Sequence, residues 1–119
     1  MPITVYHYPK CSSCRNAMTW LSERRIDVNA VDIVSSPPSA STLRRLHGQS
    51  ALPLARFFNT SGESYRVGNF KEKLRTMSDA DAYQALASDG KLIKRPLVDA
   101  GDTVLVGFDA AAWESALRP

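Results

Sequence analysis

The two cysteines of this chain, Cys11 and Cys14, are three positions apart and are the residues best suited to carry chemistry. They follow a short β-branched and aromatic run, Ile3–His7, and precede a segment whose apolar residues have helical spacing. A thiolate is a nucleophile, and a helix N-terminus lowers a thiol pKa through its free N–H groups and dipole. The pattern therefore predicts a redox-active pair, in which Cys11 attacks and Cys14, one turn into the helix, resolves.

A zinc site and two incidental buried thiols are the alternatives for this pair. A structural zinc ion usually takes four ligands. The chain has no third cysteine, and its two histidines, His7 and His47, fall in separate predicted elements. The sequence therefore favours redox chemistry, and neither a metal site nor a bound cofactor is expected.

The elements that must position the pair follow from the spacing of apolar residues. A strand over Ile3–His7, a helix that begins at the cysteine motif and a strand over residues 28–34 form a strand–helix–strand unit, so the two strands should be parallel. Helical patterns dominate residues 39–90. The helices expected there are one ending at Gly48, short ones over 53–58 and 70–74, and one N-capped by Ser78 and ending at Gly90.

Strand signals return near the end of the chain. Strands over 96–98 and 103–106 are joined by a turn, which indicates a hairpin, and Asp109 is placed to cap a final helix. This order of elements predicts an α/β, thioredoxin-like fold with a mixed four-stranded sheet. We expect one domain over residues 1–119, with a helical insert at about 39–90.

Arg95 is the next candidate, because it precedes Pro96 and the third predicted strand. In a thioredoxin-like domain this loop lies against the N-terminal cysteine. Arg95 would then place a permanent cation beside the thiolate or an anionic substrate. The alternative is a surface arginine next to an edge-strand proline, and the Arg95–Pro96 bond could be cis or trans.

His7 ends the first predicted strand four residues before Cys11. A charged imidazole there could depress the thiol pKa, although a partly exposed histidine at a strand end is also common. Lys10 and Arg15 add positive potential beside the motif, and a solvated face explains them equally well. Trp20 and Trp113 lie at amphipathic-helix positions and are predicted to belong to the core.

The amino-acid composition of the chain limits which other classes of function remain possible. The chain of 119 residues is 44% hydrophobic and 23% charged, with a net charge of +3, which suits one domain whose core needs no disulfide. The basic residues are scattered, which argues against direct nucleic-acid binding. No stretch approaches the roughly 20 apolar residues of a membrane span. The N-terminus opens directly into a strand without a signal peptide, so a cytoplasmic location is expected, where thiols stay reduced.

Two motifs together resemble those of the arsenate reductase/Spx family. They are Tyr6-His7-Tyr8-Pro9-Lys10-Cys11-Ser12-Ser13-Cys14-Arg15-Asn16-Ala17 and Leu92-Ile93-Lys94-Arg95-Pro96-Leu97-Val98. The resemblance covers essentially the full length. It implies a thioredoxin-like fold, with Cys11 as the reactive thiol and Arg95 as its cationic partner. His7 and Asn16 also match positions around the catalytic cysteine of the glutathione- and glutaredoxin-coupled arsenate reductases.

The chain also departs from those arsenate reductases. They have a single cysteine in this loop and two further arginines around the oxyanion. At the corresponding positions this chain has Asn59 in the insert and Gly107 near the last strand, and Arg66 is nearby without aligning. Charge-assisted bidentate contacts supply most of such anion recognition. Arsenate is therefore expected to be at best a poor substrate.

The resemblance leaves two functions open. The first is a thiol-disulfide oxidoreductase acting on a small thiol or oxyanion substrate, with glutathione or another thiol reductant as co-substrate and glutaredoxin or thioredoxin as redox partner. The second is the role of the Spx branch, in which a C-x-x-C pair serves as a redox switch in a regulator that binds the RNA polymerase α subunit. The cysteine pair fits both, and we predict the enzyme.

Overall fold

The computed structural model describes residues 3–117, and in this part of the chain strands and helices follow one another in the predicted order. The elements are β1 (Ile3–His7), α1 (Ser12–Glu23), β2 (Val28–Asp32), α2 (Ala40–Ser50), a first 3-10 turn (Leu54–Phe57), α3 (Glu63–Val67), α4 (Phe70–Lys73), α5 (Asp79–Ser88), a second 3-10 turn (Gly90–Leu92), β3 (Leu97–Asp99), β4 (Val104–Val106) and α6 (Ala110–Leu117).

The four strands form one mixed sheet in the order β2-β1-β3-β4. Strand β1 is parallel to β2 and antiparallel to β3, and Val5 lies opposite Ala30 on one side and Val98 on the other. Strands β3 and β4 form the antiparallel hairpin. The predicted α/β, thioredoxin-like arrangement is confirmed.

The sheet separates two hydrophobic cores, because successive residues of a strand face opposite sides. The first, here called the α1-side core, contains Val5 and Val98 together with residues of α1 and α6. Trp20 and Trp113 meet edge to face within it, their ring centroids 5.8 Å apart. Both tryptophans are buried, as predicted.

The second core, here called the insert-side core, lies between the other face of the sheet and the helical insert. It is built from apolar side chains of α2, α5, both 3-10 turns and β3. Its buried members include Leu43, Leu46, Phe57, Phe58, Leu86, Leu92, Ile93 and Leu97.

Side-chain caps define two of the helices as predicted. The Ser78 hydroxyl accepts a hydrogen bond from the Asp81 N–H at the start of α5. Asp109 accepts from the backbone N–H groups of Ala111 and Ala112 at the start of α6. Each cap satisfies N–H groups that have no partner within their own helix.

The prediction that a helix ends at Gly48 is wrong. Helix α2 continues through this glycine and ends at Ser50. The next residue, Ala51, is its C-cap and adopts the left-handed conformation with φ 58°. Packing explains the difference, because Leu46 is buried and His47 contacts the ring of Phe57. These contacts outweigh the roughly 1 kcal/mol that a glycine costs inside a helix.

Other elements of the chain also differ from prediction. Strand β2 ends at Asp32 rather than at position 34, because the Asp32 carboxylate accepts hydrogen bonds from the N–H groups of Val34 and Ser35 and turns the chain. Helix α5 ends at Ser88, ahead of Gly90. Helix α3, Glu63–Val67, was not predicted, since it has no buried residue and hence no apolar pattern.

Candidate active site

Cys11 is the N-cap residue of α1, at the point where the chain leaves β1 and enters the helix. Its backbone is extended, with φ −95° and ψ 125°. Its N–H donates to the Tyr8 carbonyl at 2.9 Å, and its carbonyl accepts from the Arg15 N–H at 3.0 Å. These two bonds hold the half-buried Cys11 thiol at the free N–H groups of the first helical turn.

The pKa of Cys11 is lower than that of an ordinary thiol. Burial raises this pKa, but the backbone N–H and the thiol of Cys14 lower it, and so does the Arg95 guanidinium through a hydrogen bond and its charge. The combined effect favours the thiolate. Of the two thiols, Cys11 is therefore the one whose ionisation the site favours.

Cys14 lies inside the first turn of α1 and is completely buried. Its Sγ accepts a hydrogen bond from the Tyr8 N–H at 3.3 Å. Burial, more than any other effect, and then the neighbouring Cys11 raise the pKa of Cys14 to about 11, against the opposing effects of the Tyr8 N–H and Arg95. Both thiols are free in this structure. The site thus lowers the pKa of Cys11 and raises the pKa of Cys14.

Arg95 reaches the Cys11 thiol from the loop that precedes β3. The Arg95–Pro96 bond is cis, and the buried Pro96 accepts a hydrogen bond from the Gly107 N–H at 2.9 Å. The guanidinium donates from Nη1 to the Lys91 carbonyl at 3.3 Å. Its Cζ lies 5.1 Å from the centroid of the Tyr8 ring. Within residues 3–117, the buried Nε atom has no hydrogen-bond partner.

The other two candidates, His7 and Asn16, lie near the pair without a polar contact to it. His7 is at the end of β1 and pairs in register with Asp32 of β2. Asn16 is exposed on α1. Within residues 3–117, no hydrogen bond or ion pair joins either side chain to Cys11 or Cys14. A role for these two residues stays a prediction.

Asn59 and Gly107, the positions where the family resemblance implies arginines, border the Arg95 loop. The Asn59 side chain donates to the Lys91 carbonyl at 3.5 Å, the same carbonyl that Arg95 contacts. Gly107 has φ 78° and donates its N–H to Pro96. Arg66 is exposed on α3. Both positions lie beside the site as expected, and neither carries a positive charge.

Tyr8 is the site residue that sequence reasoning missed. Its backbone contacts both cysteines and its ring faces Arg95. The available signal was weak, because an aromatic residue directly after a strand is ordinary. Its position directly before Pro9 and the cysteine motif was the only indication.

Over positions 3–117, no group of three or more His, Cys, Asp or Glu side chains is placed to hold a metal ion. In the same range, none of the helices is long and apolar enough to cross a membrane.

A free dithiol at the start of the helix after β1, faced by an arginine that precedes a cis-proline, defines a thioredoxin-like protein with a site suited to thiol chemistry. The model of the ArsC family matches residues 6–116, and the chain therefore belongs to the ArsC family.

Similar proteins extend over nearly the full length. YusI of Bacillus subtilis is 48% identical over 114 residues, which cover 96% of this chain and 97% of YusI. An arsenate reductase of Neisseria meningitidis is 32% identical over 118 residues, covering 97% of each chain. The crystal structure of an ArsC family related protein from Bacteroides fragilis superimposes with a TM-score of 0.92 at 40% identity, and it too covers 97% of each chain.

Two regulators are also similar to this chain, at lower identity. The global transcriptional regulator Spx of Streptococcus pyogenes is 22% identical over 107 residues, which cover 90% of this chain and 78% of Spx. The regulatory protein MgsR of Bacillus subtilis is 22% identical over 107 residues, which cover 90% of this chain and 83% of MgsR.

Arg95→Ala is expected to raise the pKa of Cys11 and to slow its alkylation at neutral pH several-fold, because the variant lacks the cation that favours the thiolate. Arg95→Lys should restore part of the rate, since lysine keeps the charge without the planar guanidinium. The measurement is the alkylation rate of Cys11 against pH.

Arg66→Ala is the matched control for this experiment, because it removes an exposed arginine of the insert and leaves the Arg95 loop intact. It should leave the profile unchanged. A Cys11 profile that is the same in Arg95→Ala as in the wild type, in a protein with an unchanged thermal melt, would show that Arg95 does not act on the thiol.

Proposed function

We propose that this protein is a thiol-disulfide oxidoreductase in which Cys11 attacks the substrate and Cys14 resolves the product. The observation that carries the proposal is the asymmetry of the pair. Cys11 is half-buried and has a lowered pKa, whereas Cys14 is fully buried one turn along and has a pKa of about 11. The substrate therefore reacts with the Cys11 sulfur, and the Cys14 sulfur is left to attack the mixed disulfide that forms on Cys11.

The first step is attack of the Cys11 thiolate on one sulfur of a substrate disulfide, R–S–S–R′. The substrate S–S bond breaks, a Cys11–S–S–R bond forms, and R′–S⁻ leaves and takes a proton from solvent. Cys14 then loses its proton to solvent and attacks the Cys11 sulfur. A Cys11–Cys14 disulfide forms, the bond between Cys11 and the R–S group breaks, and R–S⁻ leaves and takes up a proton from solvent. The dithiol has then given two electrons to the substrate, and a thiol reductant must restore it. We propose glutathione, or a glutaredoxin or thioredoxin, as that reductant.

The second step depends on loss of a proton from Cys14, and the first step favours that loss. The charge and thiol of Cys11 both contribute to the raised pKa of Cys14. In the mixed disulfide Cys11 carries no charge, so this contribution disappears. The Tyr8 N–H and the Arg95 charge, which both lower the pKa of Cys14, remain. Cys14 therefore becomes a better nucleophile only after Cys11 has reacted.

Arsenate is proposed to be a poor substrate, although the similar protein of Neisseria meningitidis is named an arsenate reductase. A small oxyanion at Cys11 would meet Arg95, while Asn59 and Gly107 occupy the two positions where the family resemblance implies arginines. An amide and a glycine supply no charge-assisted bidentate contact. We therefore propose a small disulfide, and glutathione mixed disulfides in particular, as the substrate class.

The test is trapping of the intermediate with a glutathione mixed disulfide as substrate. Cys14→Ser should accumulate a covalent adduct of one glutathione on Cys11, detected by intact mass, because the resolving thiol is absent. Wild-type protein should instead turn over the disulfide with excess glutathione, much faster than it reduces arsenate. Absence of an adduct on Cys14→Ser, or arsenate turnover equal to disulfide turnover, contradicts the proposal. Cys11→Ser is the control, and it should form no adduct.

The second candidate is a redox-responsive regulator that binds the RNA polymerase α subunit. The cysteine pair itself and the similarity to Spx and MgsR favour it. A stable complex with purified α subunit that forms only in the Cys11–Cys14 disulfide state would support this function. Either role is proposed for the cytoplasm, where reductants keep both thiols free until an oxidant acts.

A further inference from the structure

Tyr8 touches each of the three groups of the site with a different part of the residue. Its backbone N–H donates to Cys14 Sγ at 3.3 Å, and its carbonyl accepts from the Cys11 N–H at 2.9 Å. Its aromatic ring lies against the Arg95 guanidinium, with 5.1 Å between Cζ and the ring centroid. The backbone contacts are independent of the side chain, whereas the contact with Arg95 depends on it entirely.

We propose that Tyr8 is a positioning residue whose aromatic ring holds the Arg95 guanidinium beside the Cys11 thiol. The role rests on the proposed function, since it assigns to Tyr8 the placement of the cation that the proposed thiol chemistry uses. It concerns the side chain of Tyr8 and is separate from the hydrogen bonds of its backbone.

Arg95 needs such a support because its polar contacts are few. Besides its hydrogen bond with the Cys11 thiol, its guanidinium makes one hydrogen bond within residues 3–117, from Nη1 to the Lys91 carbonyl at 3.3 Å. The buried Nε atom finds no hydrogen-bond partner among the residues that the structure describes. In the described part of the chain no carboxylate forms an ion pair with Arg95, whereas Arg24, Arg45 and Arg75 each have one. The ring face of Tyr8 is therefore the main contact that fixes the guanidinium plane.

An aromatic support also suits the role of Arg95 better than a carboxylate would. A carboxylate would hold the guanidinium and cancel its charge at the same time. A ring face attracts the cation through its quadrupole and carries no net charge. The positive charge of Arg95 therefore stays available to Cys11.

The ring is itself held in place by the fold. Tyr8 is half-buried and packs against the insert-side core. Lys91, the other contact of Arg95, follows Gly90 in the second 3-10 turn, and its carbonyl also accepts from Asn59. Tyr8 and Leu92, the residue that follows Lys91, pack in the same core, which links both supports of the guanidinium to it.

Two substitutions separate the aromatic face from simple bulk. Tyr8→Phe keeps the ring face and should leave the pKa of Cys11 at its wild-type value. Tyr8→Leu keeps an apolar contact with the insert-side core and removes the ring, so the pKa of Cys11 should rise. The measurement is the ultraviolet absorbance of the thiolate against pH, made on the full chain without any substrate. Because no turnover is needed, the result is independent of whether the proposed disulfide chemistry occurs.

A double-mutant cycle with Arg95 shows whether the effect passes through the cation. In the Arg95→Ala background, Tyr8→Leu should cause no further rise in the Cys11 pKa. An equal shift in both backgrounds, or an unchanged pKa in Tyr8→Leu alone, would overturn the proposal. A thermal melt accompanies each variant. Tyr8→Met, also apolar and without a ring, replaces Tyr8→Leu if the leucine variant does not fold, and the same outcomes decide.

Discussion

Cys11→Ser should slow alkylation of the one remaining cysteine at neutral pH by at least about 100-fold relative to Cys14→Ser. The reason is that the variant leaves Cys14, which is completely buried, and burial is the largest cause of its raised pKa. Even an ordinary thiol with a pKa of about 8.5 is ionised in only roughly one molecule in 30 at pH 7, and a buried thiol is ionised less. Cys14→Ser instead leaves the half-buried Cys11, whose pKa is lowered.

The pH dependence of the two rates gives the sign of each shift. Alkylation of Cys11 should reach its plateau at a lower pH than that of an ordinary thiol, because a lowered pKa makes the thiolate abundant earlier in the titration. Alkylation of Cys14 should still be rising at alkaline pH. Labelling in denaturant is the control, and there both variants should react alike. Equal rates in the folded proteins would refute the assignment of Cys11 as nucleophile.

Gly90→Ala is expected to destabilise the protein by at least about 3 kcal/mol, the upper range for an overpacked site. A Cβ atom at Gly90 would lie well inside the contact distance of the Ile33 backbone carbonyl. The three atoms nearest to this Cβ all belong to the main chain of Ile33 and Val34, so no side chain can rotate away to make room. Because domains are stable by only about 5–15 kcal/mol, the loss should be plain in a urea or thermal denaturation curve.

Gly48→Ala is the matched control for this steric argument. It makes the same substitution at an exposed position inside α2, and a Cβ there would meet no atom within 4 Å. Replacing a helical glycine by alanine at such a site should raise stability by roughly 0.5–1 kcal/mol. Gly90→Ala should therefore lower the stability of the protein, and Gly48→Ala should raise it. Similar midpoints for both would mean that the backbone near Gly90 can move aside.

The fold was largely predictable, because the strands and the helix that carry the site have clear hydrophobic periods. Strand β1 has the predicted bounds, Ile3–His7, and the hairpin and the caps at Ser78 and Asp109 are where turn and cap chemistry place them. The insert was less predictable. Helix α2 continues through Gly48 because tertiary contacts outweigh a local stop signal, and α3 has no apolar face from which it could be recognised.

The candidate site was predictable where residue type and chain position suffice. The spacing of Cys11 and Cys14 places one at the N-cap and the other in the first turn of a helix, and the order of the elements brings Arg95 to them. Tyr8 could not be found in this way, because its ring contact with Arg95 joins residues that are far apart in sequence. His7 shows the opposite case, since it lies close in sequence and has no polar contact with the pair in the described chain.

The two cores on either side of the sheet support different parts of the site. The helix that carries Cys11 and Cys14 rests on the α1-side core through Ala17, Trp20 and Leu21. The loop that carries Arg95 rests on the insert-side core through Leu92, Ile93 and Leu97. The Cys11 thiol and the Arg95 cation are thus supported by separate cores on opposite faces of the sheet. A substitution in the insert-side core therefore reaches the Cys11 thiol through the placement of Arg95, whose charge and hydrogen bond lower the pKa of that thiol.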